Sequence, residues 1–143
     1  MTARALSLVA LLLALAPFPA RAQDPIPEAD ARAVRAVIEA QLDAFRKDDA
    51  ERAFSYATAS IREAFGTPGN FMAMVRRAYP VVYRPSRVAF EHAVKLEDLV
   101  VQPVRFTDSE GHTWLAVYPM ERQPDGGWRI NGCQLGRLEG TET

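Results

Sequence analysis

The spacing of hydrophobic residues along this chain changes once, at a segment flanked by prolines, and that change limits the folds that the chain can adopt. Before Pro80, apolar residues recur every three to four positions, which is the spacing of one helical face. After Pro85, apolar and polar residues alternate, as in a strand with one buried face. Helices followed by strands with short turns predict an α+β domain, with N-terminal helices packed on a curved antiparallel sheet of four strands.

The helical half contains one long helix and three shorter helical segments. The long helix is predicted over residues 28–47, where apolar side chains form one continuous face. Asp48 and Ser60 each precede a glutamate by three residues, so we expect them to cap two short helices through capping boxes. Thr67, which is followed by a proline, is predicted to cap a further helix that Pro80 ends.

The strand half is predicted to begin with an extended connector over residues 81–85. Pro103 lies inside the second strand, which indicates a bulge or an edge position because proline cannot donate a ladder hydrogen bond. A curved sheet wrapped around the long helix would leave a pocket at its open end. The four strands are expected at residues 87–95, 99–107, 112–121 and 128–135.

Residues 1–22 have the features of a secretory signal peptide: a positive start, an apolar stretch and an Ala-x-Ala pattern that ends at Ala22. The apolar stretch, residues 5–16, is shorter than the roughly 20 residues that a membrane span needs. We therefore expect cleavage between Ala22 and Gln23, export from the cytoplasm, and no stable membrane anchor after cleavage. The mature chain is then a single domain over residues 23–143.

Charge and cysteine content narrow the function further. The chain has 17 basic and 18 acidic residues, and Arg4 and Arg21 lie in the predicted leader, which leaves 15 basic residues. A near-neutral mature chain without a basic face argues against nucleic-acid binding. Cys133 is the single cysteine, so no internal disulfide forms. We expect it to be a small buried residue in the last strand, with a dimer disulfide or a reactive thiol as alternatives.

Four segments resemble the motifs of a bacterial family of exported domains of unknown function. They are Phe65-Gly66, Phe71-x-x-Met74, Tyr79-Pro80-Val81-Val82-Tyr83-Arg84-Pro85 and Gly127-Trp128-Arg129-Ile130-Asn131-Gly132-Cys133. The resemblance implies a cone-shaped fold of the nuclear-transport-factor-2-like superfamily, also called cystatin-like, SnoaL-like or ketosteroid-isomerase-like, over about residues 30–137. It also implies a periplasmic location, with secretion as the alternative. This superfamily contains isomerases, cyclases, dehydratases, binding modules and dimeric adaptors, so the fold alone does not define a function.

No group of residues forms a catalytic signature. The isomerase chemistry of this superfamily needs a carboxylate base inside an apolar pocket, whereas Glu91, Glu97 and Asp98 are predicted to face solvent or lie in a turn. His92 shares a predicted strand face with Val88, so we expect it to point toward the core, where it is a weak candidate for an acid or base. The alternative is a buried neutral histidine with one hydrogen bond.

Aromatic side chains with one polar tip are the best candidates for lining a pocket, and core packing is the alternative for most of them. An arginine could grip an anionic ligand, or could pair with surface carboxylates instead. Two histidines without a third ligand do not predict a metal site, and no cofactor is expected. The candidate ligand-binding residues are Tyr56, Tyr79, Tyr83, Arg84, His92, Trp114 and Trp128, and the further arginine candidates are Arg76, Arg77, Arg87 and Arg105.

These observations favour an exported, non-catalytic module that binds a small apolar or amphipathic ligand or a partner protein. One alternative is an enzyme that uses His92 as acid or base, with a tyrosine as hydrogen-bond donor. The other alternative is a homodimeric interaction protein that buries the open face of its sheet against a second copy.

Overall fold

A computed structural model of the 143-residue chain describes residues 24–139, so the predicted leader lies outside the described residues. Within that range the chain is α+β, with helices followed by an open sheet that is mostly antiparallel, as predicted. The helices are α1 (Glu28–Arg46), α2 (Ala50–Ser55), α3 (Ala59–Phe65), α4 (Pro68–Ala78) and α5 (Pro80–Tyr83). The strands are β1 (Asp24–Pro25), β2 (Arg87–Phe90), β3 (Val94–Leu96), β4 (Leu99–Thr107), β5 (Thr113–Arg122), β6 (Trp128–Ile130) and β7 (Gln134–Arg137).

The long helix α1 forms where the hydrophobic period predicted it. Acidic residues in its first turn and Arg46 in its last turn complement the helix dipole. The helix ends where Asp48 takes a positive φ of 52°. None of the helices between residues 24 and 139 is long and apolar enough to cross a membrane. The face of α1 that packs in the core consists of Val34, Ile38, Leu42 and Phe45.

Two of the three predicted helix caps are wrong. Asp49 caps α2 by accepting a hydrogen bond from the backbone N–H three residues later, at 3.1 Å, whereas Asp48 adopts a left-handed conformation and faces other elements. Thr58 caps α3 in the same way at 3.5 Å, because that helix begins before Ser60. Thr67 caps α4 as predicted, with a contact of 3.1 Å.

The extended connector predicted over residues 81–85 is wrong for residues 81–83, which belong to the short helix α5. Proline is compatible with the first turn of a helix, because its missing N–H has no partner there in any case. The turn is anchored by Val81 and Val82, each 4% exposed. The connector prediction failed because it treated Pro80 only as the end of one helix.

All strand pairs in the sheet are antiparallel, in the order β1-β3-β4-β5-β6, with β2 also pairing with β4 and β7 with β5. The four predicted strands are therefore present, but the first and the last are each divided in two. Burial alternates along β4 and β5. Val104, Phe106, Ala116, Tyr118 and Met120 are buried in the core with the helices, while Arg105 is exposed.

The division between β2 and β3 lies opposite Pro103, which agrees with a bulge, one of the two alternatives predicted for this proline, with the extra residue in the partner strand. Residues 91–93 leave the ladder there. The carbonyl of Pro103 accepts a hydrogen bond from the N–H of Glu91, so the missing donor of Pro103 faces the same gap. The buried Gln102 fills the gap by donating from Nε2 to the Glu91 carbonyl at 2.6 Å.

The division between β6 and β7 contradicts the prediction of one strand over residues 128–135. Gly132 has a φ of 140°, a conformation that side-chain-bearing residues rarely adopt, and it turns the chain out of the ladder. The segment is held by Asn131, whose Oδ1 accepts a hydrogen bond from Thr58 Oγ1 at 2.9 Å. Cys133 consequently lies between two strands rather than within one.

Candidate functional site

A cavity of about 280 Å³ lies between the helices and the inner face of the sheet. Helical spacing builds one wall, since Phe71, Met74 and Val75 of α4 point to the same side. Two small residues, Ala57 and Gly132, line the cavity where larger side chains would fill it. Other apolar residues around the cavity are Phe45, Ile61, Phe65, Val82 and Ile130.

Four lining residues carry polar side-chain atoms, and two of them, Gln41 and Tyr79, donate a hydrogen bond to a backbone carbonyl. Gln41 donates from Nε2 to the carbonyl of Ala53 at 3.1 Å. Tyr79 donates its hydroxyl to the backbone carbonyl of Cys133 at 2.9 Å, which fixes the end of α4 to the segment between β6 and β7. Burial raises the pKa of Tyr79, so its phenol stays protonated.

Tyr118 is different, because its hydroxyl is buried and has no hydrogen-bond partner among the described residues. The side chain is 1% exposed and lines the cavity. The neighbouring Cys133 thiol influences its pKa, but no hydrogen bond of good geometry joins the two groups. Burial raises the pKa of Tyr118 well above its usual range and that of Cys133 to about 12. Both groups are therefore neutral at physiological pH.

The cavity has no charged wall. None of the fourteen residues that line it is Asp, Glu, Lys, Arg or His. An ion inside it would lie in an apolar medium without a counter-charge, which is strongly unfavourable. The arrangement is suited to hold a neutral molecule and to offer it a hydroxyl.

Of the seven candidate ligand-binding residues, Tyr79 lines this cavity. Tyr56 lies outside it, and its hydroxyl accepts a hydrogen bond from Arg52 Nε at 3.1 Å. Tyr83 and Arg84 belong to an exposed cluster around Asp48.

The two tryptophans also lie away from the cavity. Trp114 donates from Nε1 to the Asp108 carboxylate at 3.0 Å and so stabilises the turn between β4 and β5. The Trp128 ring packs under the guanidinium of Arg122, which is 4.6 Å from the ring centroid. Each indole has a structural partner of its own.

His92 does not point toward the core, so that expectation is wrong. It is exposed and lines a groove with Val94 and Pro103, outside the cavity. The reason is the break opposite Pro103, which ends the alternation of β2 at Phe90 and places Ala93 in the buried position instead.

Three of the five arginines proposed to grip an anion pair with carboxylates instead, and the other two, Arg77 and Arg87, are exposed and lie outside the cavity. Arg76 and Arg84 both donate to Asp48, at 3.0 and 3.2 Å, and Arg105 pairs with Glu91. Hydrogen bonds from Tyr83 and Arg76 lower the pKa of Asp48. We call Asp48, Arg76, Tyr83 and Arg84 the Asp48 cluster.

Asp108, Glu110 and His112 place potential metal-ligand atoms within 4.8 Å of one another. The Asp108 carboxylate is already engaged, since it accepts hydrogen bonds from the Trp114 indole and from the backbone N–H groups of Glu110 and His112. These bonds, the Trp114 bond first, lower the pKa of Asp108 to about 2. These hydrogen bonds explain why the three side chains lie close together, because they stabilise the turn between β4 and β5.

Sequence reasoning did not single out Tyr118 or Gln41 as site residues. The alternation along β5 does place Tyr118 on the same face as Ala116 and Met120, so its inward direction was readable. The lack of a hydrogen-bond partner for its hydroxyl could not be predicted, because it depends on which helix residues pack against β5.

Fold and site together define a small α+β domain that encloses one apolar cavity against its sheet. Residues 27–143 match a protein family described as a domain of unknown function (DUF4864), and the chain belongs to that family. No curated protein and no solved structure matches the chain. Membership in an uncharacterised domain family is therefore confirmed.

Proposed function

We propose that this protein is a non-catalytic binding module that holds one small, mostly apolar ligand in the cavity beside Tyr118. The observation that carries the proposal is the cavity of about 280 Å³, lined by apolar side chains from both the helices and the sheet. Small-molecule pockets begin at roughly 300 Å³, and a cavity of about 150 Å³ can hold benzene. The volume thus suits a single ring with a short substituent.

The proposal includes a superfamily and a location. Helices that enclose a cavity against one face of an antiparallel sheet support the nuclear-transport-factor-2-like cone. The leader-like residues 1–22 support export to the periplasm, with secretion as the alternative. N-terminal sequencing of the protein recovered from the cell envelope tests this part, and a chain that still begins at Met1 contradicts it.

Native mass spectrometry of the purified protein tests the binding function. We expect an excess mass in the native spectrum that is lost on denaturation. Met74 is half-buried in the cavity wall, so Met74→Trp should block the cavity and remove the excess mass, while Met74→Leu conserves the volume and retains it. An excess mass that persists in Met74→Trp contradicts binding in this cavity.

The catalytic alternative required His92 to face the cavity beside a tyrosine. His92 is instead exposed on a separate groove. No geometric observation supports an acid–base role for it, so the binding function is preferred.

A second candidate function is self-association through the outer face of the sheet. Leu96 and Leu99 are 42% and 53% exposed, which is unusual for large apolar side chains at one turn. The neighbouring groove contains Val94 and Leu96, so a second copy related by a two-fold axis would cover apolar surface on both chains. Sedimentation tests this: Leu99→Lys should convert a dimer to a monomer, and a wild-type protein that is monomeric at all concentrations contradicts it.

A further inference from the structure

The Tyr118 hydroxyl is one of two buried side-chain groups without a hydrogen-bond partner among the described residues, and the other, Arg62 Nε, does not line the cavity. The Tyr118 side chain is 1% exposed and lines the cavity, and no described residue bonds to its hydroxyl. Buried polar groups in native proteins nearly always have a hydrogen-bond partner, so an exception at a cavity wall points to a group that the cavity receives.

The neighbouring polar groups of the cavity cannot take this role as readily. The hydroxyl of Tyr79 is engaged with the Cys133 carbonyl, and the amide nitrogen of Gln41 with the Ala53 carbonyl. The Cys133 thiol is a weak donor and acceptor. Among the hydroxyl, thiol and amide N–H groups of the cavity wall, the Tyr118 hydroxyl is therefore the strong donor without an acceptor among the described residues.

The direction of the hydrogen bond between Tyr118 and a ligand follows from the chemistry of the cavity wall. Tyr118 is a protonated phenol inside the protein, because burial raises its pKa. A phenol is a good hydrogen-bond donor, so its natural partner is an acceptor oxygen. A charged ligand is disfavoured because no lining residue carries a charge.

We propose that the ligand is a neutral, compact and largely apolar molecule with one hydrogen-bond-accepting oxygen, to which the Tyr118 hydroxyl donates. This inference rests on the proposed binding function and adds the ligand class and the residue that selects it. Tyr118 is then a specificity-determining residue as well as a part of the core.

Two probes of the same shape test the inference. Acetophenone and α-methylstyrene differ in one position, where the first has a carbonyl oxygen and the second a methylene group. Their affinities are measured by titration, followed through the methyl resonances of Ile61 and Val82, which line the cavity. The titrations use the wild-type protein, Tyr118→Phe, and Tyr83→Phe as a matched control outside the cavity.

We expect Tyr118→Phe to weaken acetophenone binding about three- to tenfold, the effect of one neutral hydrogen bond, and to leave α-methylstyrene within about twofold. Tyr83→Phe should change neither affinity. Retained α-methylstyrene binding also shows that Tyr118→Phe is folded. Benzoate, which has the same ring but a negative charge, should bind more weakly than acetophenone.

Each of the other outcomes contradicts a specific part of the proposal. If both probes bind but Tyr118→Phe leaves the acetophenone affinity unchanged, the role of Tyr118 is wrong and the binding function stands. If benzoate binds more tightly than acetophenone, the neutral ligand class is wrong. If neither neutral probe binds the wild-type protein, the proposed function itself fails together with the inference.

Discussion

Two tyrosines of this domain lie in opposite surroundings. The Tyr83 hydroxyl donates to Asp48 in the exposed Asp48 cluster, where two arginines also donate to the same carboxylate. The Tyr118 hydroxyl is enclosed by apolar side chains, and no described residue bonds to it. The first hydroxyl makes its hydrogen bond within the protein, whereas the second has no partner among the described residues.

The difference separates a structural polar site from the proposed binding site. The Asp48 cluster joins the turn after α1 to α4 and α5, and Arg84 also donates to the Phe45 carbonyl at 2.7 Å. Its groups are exposed to water, so its ion pairs are screened and contribute little. At Tyr118 water is excluded, so a single hydrogen bond with a ligand has a larger effect.

The largest effect is expected at the cavity wall. Phe71 packs its ring against Phe45, Phe54 and Phe65, with centroids 6.2, 5.5 and 5.7 Å away, and it also lines the cavity. Phe71→Ala should lower the free energy of unfolding by about 3–5 kcal/mol, because it enlarges a space that is already empty of side chains. Urea unfolding measures the change. Arg76→Ala in the Asp48 cluster is the comparison variant. If Phe71→Ala lowered the free energy of unfolding as little as Arg76→Ala does, the cavity wall and the Asp48 cluster would not differ in their contribution to stability.

A smaller effect is expected in the chemistry of Cys133. Burial raises the pKa of its thiol to about 12, which leaves very little thiolate at neutral pH. A thiolate of higher pKa is also more nucleophilic, so the net slowing relative to the unfolded chain is about thirtyfold or more. Reaction with a disulfide reagent in native buffer and in denaturant measures the ratio. Equal rates would show that the cavity is open to the reagent and contains a reactive thiol.

The periodic elements could be predicted because their signals are local. The long helix was expected over residues 28–47 and extends over Glu28–Arg46, and the second strand was expected over the residues that β4 occupies. Hydrophobic spacing depends only on neighbours along the chain, as does the compatibility of Pro103 with a bulge.

The candidate site could be predicted only in part, because its features depend on contacts between elements. His92 was predicted to point inward from the alternation along β2. The break opposite Pro103 ends that alternation, and the length of the break depends on hydrogen bonds between neighbouring strands. Tyr79 was predicted as a ligand-binding residue and lies in the cavity wall. The Tyr118 hydroxyl has no described partner because of how the helices pack against β5, and the sequence does not encode that packing locally.

Removing each tyrosine hydroxyl compares the two regions directly. In the ligand-free protein, Tyr118→Phe should raise the free energy of unfolding by about 1 kcal/mol, because it removes a buried polar group without a described partner. Tyr83→Phe should lower it slightly, because Asp48 loses a donor. Thermal unfolding of the two variants measures both changes. A Tyr118→Phe variant that is clearly less stable would mean that the hydroxyl is already satisfied.

The smallest effect is expected from pH, and it belongs to the Asp48 cluster. The pKa of Asp48 is lowered from its usual 3.8, chiefly by the hydrogen bond from Tyr83 and then by that from Arg76. A group whose pKa is lower in the folded state stabilises the protein above its unfolded pKa and loses that contribution as pH falls through the folded value. Asp48→Asn should therefore lower stability at pH 6 and have less effect near pH 2, as measured by urea midpoints. The Tyr118→Phe effect should be the same at both pH values, because that phenol remains protonated throughout. A pH-dependent Tyr118→Phe effect would instead indicate that an ionisable group faces the cavity.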